Sequence, residues 1–191
     1  MSLQIVLPVK PFSEAKQRFA SAMSASARLR LAEKMFRHVF ATASAFAGPR
    51  AIIVVSRGSD VLNYARTQGA VALAEPPTSD LNTALRQAAE FARGAGASRL
   101  LVLASDLPLL CEEDLAAIVV CDCAIAPDRH QHGTNALLWP ASSLPGFHFG
   151  ENSFSRHREA ARAAGLHPDT VFRTGLAHDV DLPSDLIAPD E

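Results

Sequence analysis

Cysteine, surplus charge and long apolar runs are all in short supply in this 191-residue chain. Three cysteines are an odd number and cannot close a disulfide framework, and Cys121-Asp122-Cys123 lacks the paired spacing of a zinc site; a reduced, cytoplasmic protein is expected. The longest unbroken apolar stretch, residues 115–121, is far shorter than a membrane span. Pro8 and Lys10 arrive before any secretory hydrophobic region can develop, so neither insertion nor export is expected. With 18 Lys+Arg against 20 Asp+Glu, the net charge of −2 argues against charge-driven binding of nucleic acid or membrane. Three signatures are also missing: G-x-x-x-x-G-K-[ST], G-x-G-x-x-G after the first apolar run, and G-x-S-x-G. Their absence removes the P-loop, dinucleotide-binding and serine-hydrolase classes.

What is present is a core. A hydrophobic fraction of 48%, at a length where folding buries about 70% of the unfolded surface, needs no staple, excludes global disorder and points to one domain over residues 1–191. Charge is unevenly spread: residues 1–50 carry eight basic and two acidic groups, a balance of +6 that leaves −8 for the rest. Those between Arg28 and Arg37 fit a solvated helix face. Lys10, Lys16 and Arg18 instead follow an apolar run in a Pro-containing segment, where strand-end loops present cations to phosphates.

The periodicity predicts strands over 4–9, 51–56, 70–74, 99–104, 123–126, 135–139 and 171–173. Helices are predicted over 26–46, 61–68, a segment capped by Ser79 or Asp80 and ended by Gly94 and Gly96, 112–120, and 153–164. Leu31, Met35 and Val39, joined by Phe36 and Phe40, form the core stripe of the first helix. Strands alternating with helices give an α/β class with a mainly parallel sheet. Cys121 and Cys123 read as small hydrophobes on one strand face, and His130-Gln131-His132 as a polar loop. Apolar helix faces leave both a monomer and a homo-oligomer open.

In open α/β sheets ligands sit outside the carboxyl ends of strands, so a carboxylate just after a buried strand is informative. Asp106 is such a group; a turn cap at Asp-Leu-Pro and a metal ligand are its two readings. Asp179 and Asp181 point to one side if their segment is extended. With Asp106 they would complete a protein contribution to Mg²⁺, which takes one or two carboxylates along with phosphate oxygens and water.

Five ordered segments carry a resemblance: residues 7–16 (LPVKPFSEAK), 105–110 (SDLPLL), 126–129 with 133–138 (APDR and GTNALL), 149–150 with 153–157 (FG and SFSRH), and 179–186 (DVDLPSDL). Together they resemble the 2-phospho-L-lactate guanylyltransferase family, which includes phosphoenolpyruvate and 3-phosphoglycerate guanylyltransferases of coenzyme F420 biosynthesis. The resemblance implies a single-domain GT-A-like nucleotidyltransferase fold, GTP as donor, Mg²⁺ as cofactor, and a small phosphorylated carboxylic acid as acceptor. It implies that Thr134, Gly150 and Ser153 hold the acceptor, that Asp106, Asp179 and Asp181 approach the metal, and that Lys10 and Lys16 meet phosphates. Gly150 also allows close backbone approach, and Ser153 opens a helix whose N-terminus attracts anions or is simply capped. Two departures stand out. By comparison with the family it resembles, residues 76–82 (PPTSDLN) stand where relatives tend to be glycine-rich before Leu-Asn, and Glu151-Asn152 stands where Pro-Gly is more usual. A molybdenum-cofactor or sugar-phosphate nucleotidyltransferase would share Asp106 but lacks support from a Gly-rich opening after strand one; a silent nucleotide-binding protein on the same scaffold is the alternative from another class.

Overall fold

Apolar runs without alternation mark strands covered on both faces, and the computed structural model, which describes residues 2–76 and 79–186, shows such a sheet. β1 (Leu3–Pro8), β2 (Ile52–Ser56), β3 (Val71–Ala74) and β4 (Arg99–Leu103) are parallel, with β1 between β2 and β4. β5 (Ala124–Pro127) and β6 (Thr134–Pro140) form a hairpin, and β6 runs antiparallel to both β4 and β5. A two-residue β7 (Asp169–Thr170) adds parallel to β5, giving the order β3-β2-β1-β4-β6-β5-β7.

α1 (Ala25–Ala47), α2 (Ser59–Thr67) and α4 (Glu112–Val119) cover one face, where Phe36, Val39 and Phe40 meet Ile5, Leu7, Ile52, Val54, Leu101 and Leu103. α3 (Leu81–Gly94) and α5 (Ser153–Ala163) cover the other, against Val6, Ile53, Leu100, Val102 and Trp139. Odd and even strand positions thus feed separate cores, as a period of two demands. Ser24 caps α1 by accepting the Ala27 N–H (3.2 Å), and Asp80, rather than Ser79, caps α3 by accepting that of Thr83 (2.9 Å); each cap is worth about 1 kcal/mol.

Two expectations need correction, and one element was not expected. The last strand lies at 169–170 rather than 171–173, because Asp169 and Val171 donate to the Cys123 and Ile125 carbonyls and the pairing is set by β5. A four-residue helix, α6 (Thr174–Ala177), follows it and has no periodic pattern long enough to read. Cys121 and Cys123 do not share a face: Cys121 packs against the α1 side and Cys123 against the α5 side, since the segment bends before β5 begins. No helix among the described residues is long and apolar enough to cross a membrane.

Candidate active site

Successive connections move from β1 to β2 and β3 on one side and then return to β4 on the other. The crevice outside the carboxyl ends of β1 and β4 is therefore the topological switch point, where open α/β sheets place ligands. Lys10 and Lys16 follow β1, Asp106 follows β4, and reversal of β6 brings its first residues to the same end, the Ala104 N–H donating to the Asn135 carbonyl (2.8 Å).

Lys16 is the centre of this end. It sits between two 3-10 turns, Phe12–Glu14 and Gln17–Phe19, in a left-handed conformation (φ 55°, ψ 38°) that aims its side chain back across the sheet. Its ammonium, 8% exposed, lies 2.5 Å from Asp106 Oδ2, 2.5 Å from the Val180 carbonyl and 4.0 Å from Asp181 Oδ1. Arg18 pairs with Asp181 from the solvent side at 3.0 Å. The basic beginning and acidic end of the chain meet here. Packing explains why: Phe19 and Val180 are both buried against Met35 of α1, which anchors the Lys16 turn and the aspartate loop to one spot.

Asp179 takes a different partner, accepting from Asn135 Nδ2 at 3.1 Å. Burial pushes its carboxyl above the ordinary range; Asn135 opposes this, and the nearby Asp106 and Asp181 charges add to it. The loop is held from behind by Asp185, which accepts the Asp181 and Leu182 N–H groups (2.8 and 2.6 Å) and an ion pair from Arg129. Burial raises the Asp185 carboxyl, but those two N–H groups and Arg129 outweigh it and leave it below the usual range. Arg129 also reaches the Asp179 carbonyl (3.4 Å).

The three aspartates expected to meet a metal thus share one end of the sheet, but Asp106 and Asp181 form an ion-pair network with Lys16 while Asp179 is bonded to Asn135. Among the described residues no three His, Cys, Asp or Glu side chains stand close enough to make a ready metal centre. Their chemistry nevertheless fits Mg²⁺: the donors are carboxylate and carbonyl oxygens, the hard ligands that ion takes, and the Lys16 ammonium already holds a cation's place between Asp106 and Asp181.

Thr134, Gly150 and Ser153 converge beside it. Thr134 opens β6, is 7% exposed, and contacts His157 Nδ1 through Oγ1 (3.0 Å). Gly150 has φ +122°, which disfavours any residue with a side chain, although nothing lies where its Cβ would go. Ser153 is buried at the first position of α5, its N–H donating to the Gly150 carbonyl (3.2 Å). Asn82 of α3 grips Phe149 by both backbone groups, at 2.8 and 3.1 Å, and so ties the approach to Gly150 to the first turn of α3, where the 76–82 segment ends. Pro77 and Thr78 of that departure lie outside the described residues. Asn152 carries φ 53°, a conformation asparagine tolerates better than most residues, which accounts for its standing in a glycine's place. Glu151 and Asn152 are exposed and line an open cleft of about 570 Å³ with Gln131, His132, Ser155 and Arg156.

Lys10 is exposed and makes no ion pair among the described residues, so the two lysines predicted to act alike are placed differently. His130 and His132 lie exposed in the β5–β6 loop, whose N–H groups at 130, 132 and 133 are collected by the Asp128 carboxylate. Sequence reasoning gave no role to Asn82, Arg129, Asn135, His157 or Asp185. Four of them stood inside the quoted segments, and that density was the available signal.

Residues 3–188 match the family described as guanylyl transferase CofC like. A phosphoenolpyruvate guanylyltransferase of Sphaerobacter thermophilus is 38% identical over 97% of this chain and 91% of its own. A 2-phospho-L-lactate guanylyltransferase of Methanobrevibacter smithii is 30% identical over 95% and 80%. Among solved structures, a protein from Desulfovibrio desulfuricans G20 assigned as a nucleotide-diphospho-sugar transferase superposes with TM-score 0.77 at 17% identity, covering 95% of this chain and 83% of that one. A nucleotidyl transferase from Methanothermobacter thermautotrophicus gives TM-score 0.62 at 16% identity, covering 96% and 94%. These likenesses show a nucleotidyltransferase fold.

Proposed function

The chain belongs to the CofC-like guanylyl transferase family, and from that premise we propose that it transfers GMP from GTP to a small phosphorylated three-carbon acid, phosphoenolpyruvate first among them. The bacterial relatives carrying that acceptor's name are 34–39% identical, against 30–32% for two relatives named for 2-phospho-L-lactate. The observation that carries the reading is the Lys16 ammonium held between Asp106 and Asp181 at the switch point, with Asn135, the residue after Thr134, bonded to Asp179 in the same loop.

An acceptor phosphate oxygen attacks the α-phosphorus of GTP, the bond to the β-phosphate oxygen breaks, and pyrophosphate leaves with that electron pair. No side-chain nucleophile is needed, because both reactants are charged and the barrier is one of alignment and electrostatics. Asp106, Asp179 and Asp181 are the residues that would hold Mg²⁺, which when bound supplies positive charge to the phosphates. Lys16 adds a fixed cation, and exposed Lys10 is free to follow the triphosphate. Thr134, Gly150 and Ser153 take the acid.

The test is pyrophosphate release with GTP or ATP, Mg²⁺, and phosphoenolpyruvate, 2-phospho-L-lactate or 3-phosphoglycerate. A site that hydrogen-bonds guanine is expected to prefer GTP by about 10⁴ in kcat/KM, and chelating the metal is expected to stop turnover. Equal efficiency with ATP removes the guanylyl assignment; no release with any acid removes the acceptor class.

A further inference from the structure

His157 is fully buried on α5, one turn after Ser153, and both its ring nitrogens are engaged. Nε2 lies 2.9 Å from the His148 backbone nitrogen, and a backbone N–H can only donate. Nε2 is therefore the bare nitrogen, and a neutral imidazole must carry its proton on Nδ1. Nδ1 lies 3.0 Å from Thr134 Oγ1, so the ring donates and the threonine oxygen accepts. Thr134 keeps its own proton, for which no described residue provides an acceptor.

We propose that His157 is a positioning residue that fixes the Thr134 hydroxyl as a donor toward an oxygen of the acceptor's phosphate or carboxylate. A lone threonine hydroxyl rotates freely; with one lone pair held by the His157 N–H, its proton cannot be spent on the ring and is left for an arriving anion, which can only accept it. The polarity runs in one direction, from the His148 N–H through the imidazole to Thr134, and ends at the place where an anion would arrive. Phe149 packs edge-on against the ring (centroids 4.7 Å apart, planes at 69°) and keeps it from turning over. Burial, then the His148 and Arg156 charges, push the ring's pKa down to about 3, so the neutral form that the relay needs is the one present at working pH. Because the relay also joins the segment before Gly150 to the first residue of β6, it sets the spacing between two of the three acceptor-holding positions.

This inference rests on the acceptor reading, and two measurements separate their failures. In ¹⁵N-labelled protein without substrate, His157 is expected to show a protonated Nδ1 and an unprotonated Nε2; the opposite tautomer overturns the relay whatever the substrate. In steady-state assays with phosphoenolpyruvate, His157→Phe and Thr134→Val are each expected to raise the acceptor KM about tenfold, as for loss of a hydrogen bond to a charged group, with the GTP KM nearly unchanged. The double variant is expected to be no worse than Thr134→Val alone. His157→Asn, which keeps a donor near the Nδ1 position, is expected to recover part of the loss. Multiplying effects in the double variant, or an unchanged acceptor KM in His157→Phe alone, overturn the positioning role. An unchanged KM in Thr134→Val overturns it together with the acceptor reading.

Discussion

Lys16 holds a backbone conformation that costs an ordinary residue about 1–2 kcal/mol, and such strain persists where the surroundings over-determine it. Phe19 and Val180 packed on Met35 supply that constraint. The carboxylates it serves are expected to matter more to rate than to folding. Asp106→Asn and Asp181→Asn are each expected to keep a cooperative thermal transition and to lose about a hundredfold in turnover, the usual effect of removing one well-placed electrostatic group. Wild-type rates in both variants, at saturating acceptor and Mg²⁺, would falsify the site. His157 makes a separate prediction about pH. Its pKa is about 3 in the folded chain and about 6.5 in an unfolded one, so the unfolded state binds the extra proton first. Its contribution to stability is whole above pH 6.5 and is lost as pH falls toward 3, by about 1.4 kcal/mol per unit within that window. Thermal midpoints between pH 7 and 4 are expected to fall less steeply for His157→Phe than for the wild type; parallel slopes refute the assignment. Asp106 stood out in the sequence as a carboxylate just after a buried strand, and Lys16 as a cation in the Pro-containing segment that follows β1. His157 and Asp185 did not, since their meaning lies in backbone groups and side chains up to 56 positions away, Arg129 to Asp185 being the longest.

The β5–β6 hairpin and the loop before α5 meet through Thr134, His157 and His148, and the same loop meets the start of α3, at the end proposed for the acceptor. Asn82 makes the second of these links through paired hydrogen bonds to Phe149. Asn82→Ala leaves both Phe149 groups to find other partners, and is expected to destabilise the fold by about 1–3 kcal/mol in urea denaturation and to raise the acceptor KM severalfold. An acceptor KM equal to the wild type would show that α3 does not brace this loop. The elements that sequence could read were those whose pattern is internal: the unbroken apolar runs of β1, β2 and β4, and the stripe of Met35, Phe36, Val39 and Phe40 on α1. The place of β7, expected two residues later, and the existence of α6 could not be read, because an exposed two-residue strand is set by its pairing with β5 and a four-residue helix has no period.

At the scale of the molecule, the class and the largely parallel sheet follow from alternating element types, while the reversal of β6 does not, for a buried strand looks the same in either direction. That reversal has a consequence for how such a protein can change. A forward strand meets the crevice with its last residue and commits the chain to a crossover helix; β6 meets it with its first. The segment ahead of it, residues 128–133, is a hairpin tip gathered by Asp128; Arg129 donates to the Ala177 carbonyl of α6 (3.0 Å) and the His132 carbonyl accepts from Phe154 of α5 (3.1 Å), so that His130 and Gln131 between them are the residues that bond to no helix among the described residues. Insertions and deletions there would redraw one wall of the crevice while β1 to β4, with Lys16 and Asp106, keep their register. The molecule is in this respect modular: the parallel strands keep Lys16 and Asp106 in place, and beside them the hairpin tip is an edge whose length can change without refolding the sheet.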